Sequence, residues 1–139
     1  MISSLGCSES APPEFVTRFP DANATYLSYS KQHGMQIVYL AEDGGAYLWY
    51  PGNIHVVNGE WEVVLDEICY RYGANTYNPV TRQRGGRWNC RFVGLDASLN
   101  IAEVAGDPFS LSSREVVPYV LQRCTVPAEF DVERPSTCE

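Results

Sequence analysis

Apolar positions in the middle of the chain recur at intervals of two rather than of three or four, the spacing of strands rather than helices. Gln36-Ile37-Val38-Tyr39-Leu40-Ala41 is β-branched and aromatic, Glu42-Asp43-Gly44-Gly45 has turn composition, and Ala46-Tyr47-Leu48-Trp49-Tyr50 follows; together they predict a β-hairpin. Pro51-Gly52-Asn53 reads as the next turn, residues 54–57 as a short strand, and Asn58-Gly59 as another turn. Over residues 60–65, Trp61, Val63 and Leu65 alternate with Glu60 and Glu62, and Asp66 turns the chain into a strand over residues 67–72. A polar loop from Gly73 to Gly86 precedes residues 87–93. There Trp88, Cys90 and Phe92 share one face, expected to point inward, and Arg87, Asn89 and Arg91 share the other. Residues 100–104 read as a further strand.

The flanks differ in character. Residues 1–35 are polar and interrupted by Ala11-Pro12-Pro13 and Phe19-Pro20-Asp21, and they predict an irregular segment in which Phe15, Val16 and Phe19 form a helical turn against the core. In residues 106–139, Ser112-Ser113-Arg114-Glu115 has capping-box form, and Pro118 stops any helix that begins there. The expectation is a short helical turn near residue 112, an extended segment, and a tail that wraps the surface. The fold class is therefore mostly β: one domain over residues 1–139, with an antiparallel meander over 36–105 forming a small barrel or curved sheet.

The chain contains five cysteines, at positions 7, 69, 90, 124 and 138, with no C-x-x-C pair. That spacing suits disulfides in an oxidising compartment better than a zinc ribbon or a thioredoxin motif. Cys69 and Cys90 fall on two strands expected to be neighbours. Cys124 with Cys138 is a second candidate pair, and Cys7 with Cys124 is the alternative. The net charge of −7 disfavours nucleic acid and anionic membrane surfaces, and no stretch approaches the length of a membrane span. No charged and apolar leader opens the chain, so export implies that this is a mature form. The expected location is periplasmic or secreted.

The sequence offers little for catalysis. His55 and Cys69 are the only conceivable thiol–base dyad, and Cys69 is better used in a disulfide. There is no nucleophile elbow, phosphate loop or dinucleotide fingerprint. The acid pairs Glu42/Asp43 and Asp66/Glu67 sit in turns, and the two histidines lack ligand spacing, so no catalytic residue, metal or cofactor is assigned. The densest chemistry is the run from Arg82 to Arg91. Arg82, Arg84, Arg87 and Arg91 are four of the ten basic residues, and Tyr70, Tyr72 and Tyr77 lie nearby. Guanidinium forks beside rigid aromatics suit recognition of an acidic protein partner or a small anion.

Tyr39-Leu40-Ala41-Glu42-Asp43-Gly44, then Gly59-Glu60-Trp61-Glu62-Val63, Ile68-Cys69-Tyr70 and Trp88-Asn89-Cys90 together resemble a pattern in small exported alphaproteobacterial proteins of unknown function, the group called DUF995. The likeness covers about residues 36–93. It implies a periplasmic β protein with no assigned activity and carries over no catalytic residue. The functional expectation is a non-enzymatic envelope protein that binds another protein, as an inhibitor, an immunity protein or an accessory subunit. A small hydrolase or toxin and a barrel carrying a small apolar ligand are the alternatives.

Overall fold

The computed structural model describes residues 19–73, 77–78 and 83–138. Cys7, Phe15, Val16 and Arg82 lie outside the described residues. The strands are β1 (Ala24–Ser30), β2 (Gly34–Leu40), β3 (Gly45–Trp49), β4 (Val57–Val64), β5 (Glu67–Tyr72), β6 (Tyr77–Asn78), β7 (Gln83–Arg84), β8 (Asn89–Phe92) and β9 (Asn100–Ala105). One helix, α1 (Val93–Leu99), and two 3-10 turns, Leu111–Ser113 and Ala128–Phe130, complete the described elements. Seven strands form one sheet in the order β9-β1-β2-β3-β4-β5-β8, every neighbour antiparallel, while β6 and β7 pair separately. The mostly β meander expected from the alternation is therefore present, curled into a half-barrel.

Successive side chains along a strand point to opposite faces, and the register sorts them into two cores. Ala24 and Tyr26 of β1, Leu40 of β2, Ala46 of β3, and Ile68 and Tyr70 of β5 form one buried cluster. Strands β1 and β5 are separated by three others in the sheet, so a shared cluster requires the sheet to curl around it. On the outer face, Leu27, Met35, Ile37, Tyr39 and the fully buried Trp49 pack beneath Phe109, Leu111, Val117, Leu121 and Phe130 of the C-terminal segment. Backbone bonds fasten that segment: Met35 N–H donates to the Arg123 carbonyl at 2.9 Å and Gly52 N–H to the Leu121 carbonyl at 3.0 Å. The indole of Trp49 donates to the Tyr119 carbonyl at 3.2 Å. The Cys124–Cys138 disulfide anchors the end of the tail.

Four departures from the sequence reading have physical causes. First, residues 24–30, expected to be irregular, are a strand inside the sheet between β9 and β2. Ala24 to Leu27 are buried on both faces, so the strand carries no polar–apolar alternation to read. Second, Asn58-Gly59 is not a turn, because β4 runs straight through it. A Cβ at Gly59 would lie 2.5 Å from the Arg71 carbonyl oxygen and the Tyr72 ring, so glycine is there for close strand approach. Third, residues 93–99 form a helix. Strands β8 and β9 are opposite edges of the sheet, and α1 joins them directly, so a seven-residue helix of about 10 Å bridges the gap in the half-barrel. Fourth, the Trp88/Cys90/Phe92 face points outward. Phe92 is 57% exposed, and Arg91 takes the inner position. The turn at Leu111–Ser113 matches the expected position, but Asp107 caps it, accepting the N–H groups of Leu111 and Ser112 at 2.8 and 3.0 Å.

Candidate functional site

Both disulfides anticipated from the cysteine spacing are present, Cys69–Cys90 and Cys124–Cys138. Cys69 and Cys90 are directly opposed on β5 and β8. With its sulfur bonded, Cys69 is not a nucleophile, and His55 is exposed beside the Val116 bridge. Among the described residues no cluster of His, Cys, Asp and Glu could hold a metal ion. Asn23 and Thr25, at the entry to β1, are both engaged in the fold. The Asn23 side-chain oxygen accepts the Tyr39 hydroxyl at 2.7 Å, and the buried Thr25 hydroxyl donates to the Gly106 carbonyl at 2.6 Å.

The Arg/Tyr set of the sequence reading divides in two. Tyr70 and Tyr72 alternate inward with Ile68, and their rings stack at 6.1 Å between centroids. The Arg91 guanidinium lies 5.5 Å over Tyr70 and donates to the carboxylate of Asp96, the buried acid of α1. Burial holds the phenols of Tyr26, Tyr70 and Tyr72 well above their ordinary range, with Tyr72 adding to the effect on Tyr70. Burial also opposes the charge on Arg91, but the hydrogen bond and charge of Asp96 outweigh it and raise its pKa. The result is a set of neutral phenols around a satisfied ion pair. The Arg91 side chain stays 52% exposed at the edge of this set, which supplies neither a base nor a nucleophile. Tyr70 is only 7% exposed, so it cannot line a docking surface. Arg87 is exposed, and the side chains of Arg84 and Tyr77 lie outside the described residues.

Two exposed features remain, one at an end of the sheet and one on the half of the outer face that the C-terminal segment leaves open. The first is the β4–β5 tip. Leu65 is 93% exposed and has a φ of 57°, the left-handed region that a leucine avoids. Val63, Val64, Phe92 and Leu95 are also exposed. They meet at one end of the molecule, because Glu67 pairs with both Val64 and Phe92 and the Val93 N–H donates to the Asp66 carbonyl at 2.9 Å. Exposed Glu62, Asp66 and Glu67 surround them.

The second feature is an open groove of about 350 Å³ lined by Asp43, Tyr47, Glu60, Trp61, Glu62 and Trp88. Its base is the β2–β3 turn, where Gly44 adopts a φ of 94° and Asp43 accepts the Gly45 N–H at 2.9 Å. Trp61 lies opposite Tyr70 and packs on the inner cluster, where its indole donates to the Ala41 carbonyl at 2.9 Å. Arg71 sits at the edge with its guanidinium 4.8 Å over the Trp88 ring, and donates to Glu60 through Nε at 2.8 Å and Nη2 at 2.5 Å. Among the described residues neither Asp43 nor Glu62 has a cationic partner. The sequence contained a signal for the tip: Val63-Val64-Leu65 runs apolar into a turn position where glycine or asparagine is usual. The groove joins residues from three separate segments and had no such local signal.

The fold and these surfaces define a disulfide-bonded β half-barrel with an open, partly apolar outer flank. No family model, curated protein or solved structure matches the chain.

Proposed function

We propose that this protein is a non-enzymatic binding module of an oxidising, extracytoplasmic compartment, acting on a protein partner as an inhibitor, immunity protein or accessory subunit. The observation that carries the reading is Leu65, almost wholly exposed on a strained backbone and set among other exposed apolar side chains. An apolar tip of this kind costs solubility and local conformational energy, and a partner that buries it offsets both. The disulfides suit an oxidising compartment, and no helix among the described residues is long and apolar enough to cross a membrane. The collar of Glu62, Asp66 and Glu67 disfavours an anionic lipid surface. It favours an apolar pocket with a basic rim, which differs from the acidic partner suggested by the arginine run.

The test is capture from the extracytoplasmic fraction of the native host with the wild-type chain and with Leu65→Asp and Val64→Asp. One defined partner held by wild type and lost by both variants, at unchanged thermal midpoint, is the expected outcome. Equal capture by all three chains would remove the tip from the binding surface.

A further inference from the structure

The groove beside the tip has its own chemistry, and we infer that it is an acceptor site for an arginine side chain presented by the partner; this rests on the protein-binding reading above. Arg71 provides the template. Its guanidinium is already held by a carboxylate on one side and an indole face on the other, so this surface binds that group within the chain itself. Arg71 occupies Glu60 and part of Trp88. It leaves Asp43, Glu62 and Tyr47 lining the same groove, with two carboxylates that have no cationic partner among the described residues. Tyr47 is held in place by stacking on Tyr39 at 6.1 Å, so this wall is preorganised.

Arginine fits this geometry better than lysine. A guanidinium is planar, stacks on aromatic rings, offers a fork of donors to a carboxylate and gives up its hydration more readily than an ammonium. Those properties matter most in a groove that is open to water. The location is also consistent: Glu62 precedes Leu65 by three residues on β4, about 10 Å along a strand, so one partner surface reaches both. The net charge of −7 attracts such a partner from a distance.

Synthetic peptides separate this inference from the docking reading. Three glycine-spaced peptides of equal length, carrying arginine, lysine or citrulline at the same positions, are titrated against the intact chain and its variants by calorimetry, and the Trp88 indole N–H resonance is followed in wild type. The arginine peptide should shift that resonance and bind more tightly than the lysine peptide, and the neutral, isosteric citrulline peptide should not bind. Trp88→Ala should weaken the arginine peptide about two- to five-fold, the range of an exposed cation–π contact. Glu62→Gln should weaken it by up to about five-fold, as for an exposed ion pair. Arg71→Gln frees Glu60 and should strengthen the arginine peptide more than the lysine peptide. Equal binding of the arginine and citrulline peptides, no detectable binding of the arginine peptide, or full binding to Trp88→Ala and Glu62→Gln would overturn the inference. If the peptides fail while Leu65→Asp still abolishes capture, only the groove is lost. If the peptides bind while Leu65→Asp still captures the partner, the tip reading fails instead.

Discussion

Replacing Leu65 with asparagine should make the protein more stable and bind less well. An L-residue with a branched side chain in the left-handed region costs about 1–2 kcal/mol. At a φ of 57°, Leu65 bears that cost, and at 93% exposure it recovers almost nothing through burial. Asparagine tolerates the same backbone through local hydrogen bonds, so Leu65→Asn should gain about 1 kcal/mol. Leu65→Gly should gain less, because glycine gives back about 0.5–1 kcal/mol through the greater freedom of the unfolded chain. For a domain of this length, 1 kcal/mol corresponds to a rise of about 3–5 °C in Tm. The assay is urea and thermal denaturation with both disulfides intact, run beside the capture experiment. A ranking of asparagine above glycine above leucine in stability, with the reverse order in capture, is the expected result. A variant less stable than wild type would show that Leu65 makes stabilising contacts inside the isolated fold, and the argument for a tip held ready for a partner would collapse.

Two further perturbations test the frame. Replacing either cysteine pair by alanine should cost about 3 kcal/mol in the chain-entropy account, because the bridges close loops of similar length with sequence separations of 21 and 14; denaturation of each variant measures it, and an unchanged midpoint would mean that the bridge constrains nothing. The buried phenols set an alkaline limit. Since folding raises the pKa of Tyr26, Tyr70 and Tyr72 above 10.0, the folded state favours their neutral forms. The stability they confer is full below about pH 10 and is lost as pH rises above it. Ultraviolet absorbance should show their phenolate signal emerging together with unfolding, whereas titration near pH 10 without loss of stability would place these phenols in water.

How much of this was legible in sequence depended on whether local preference and sheet context agreed. The β2–β3 hairpin was readable because an apolar, β-branched run is bracketed by Glu42 to Gly45, and the cysteine pair because Cys69 and Cys90 fall on neighbouring strands. Where the two disagreed, context won. Asn58-Gly59 has strong turn preference, yet Gly59 is needed inside β4 because β5 approaches too closely for a Cβ. Helix α1 contains Gly94 and Ser98, weak helix formers, and has no side-chain cap; its place follows from the need to connect two sheet edges, which no local pattern encodes. The candidate site shows the same division. Arg91 and Tyr70 do come together, but the alternation of β5 turns the tyrosine inward, and the Asp96 partner came from a helix that the alternation did not predict.

The strongest reason to look for a partner lies in how the outer face is covered. A sheet face that carries apolar side chains must be buried, whereas an antiparallel sheet can leave a polar face in water. The C-terminal segment buries the outer side of β1, β2 and β3, including Trp49, and is fastened there by backbone bonds and a disulfide. It does not extend over β4, β5 and β8, and a purely solvent-facing flank there would need only polar residues. Glu60, Glu62, Arg71 and Glu67 meet that requirement, but Val64, Trp88 and Phe92 do not, and their exposure continues into the Leu65 tip. The same chain that covers one half of the face completely leaves large apolar groups open on the other half, interleaved with charges. That mixture, apolar anchors within a polar rim, matches the composition of protein interfaces, which is what supports the proposed binding role.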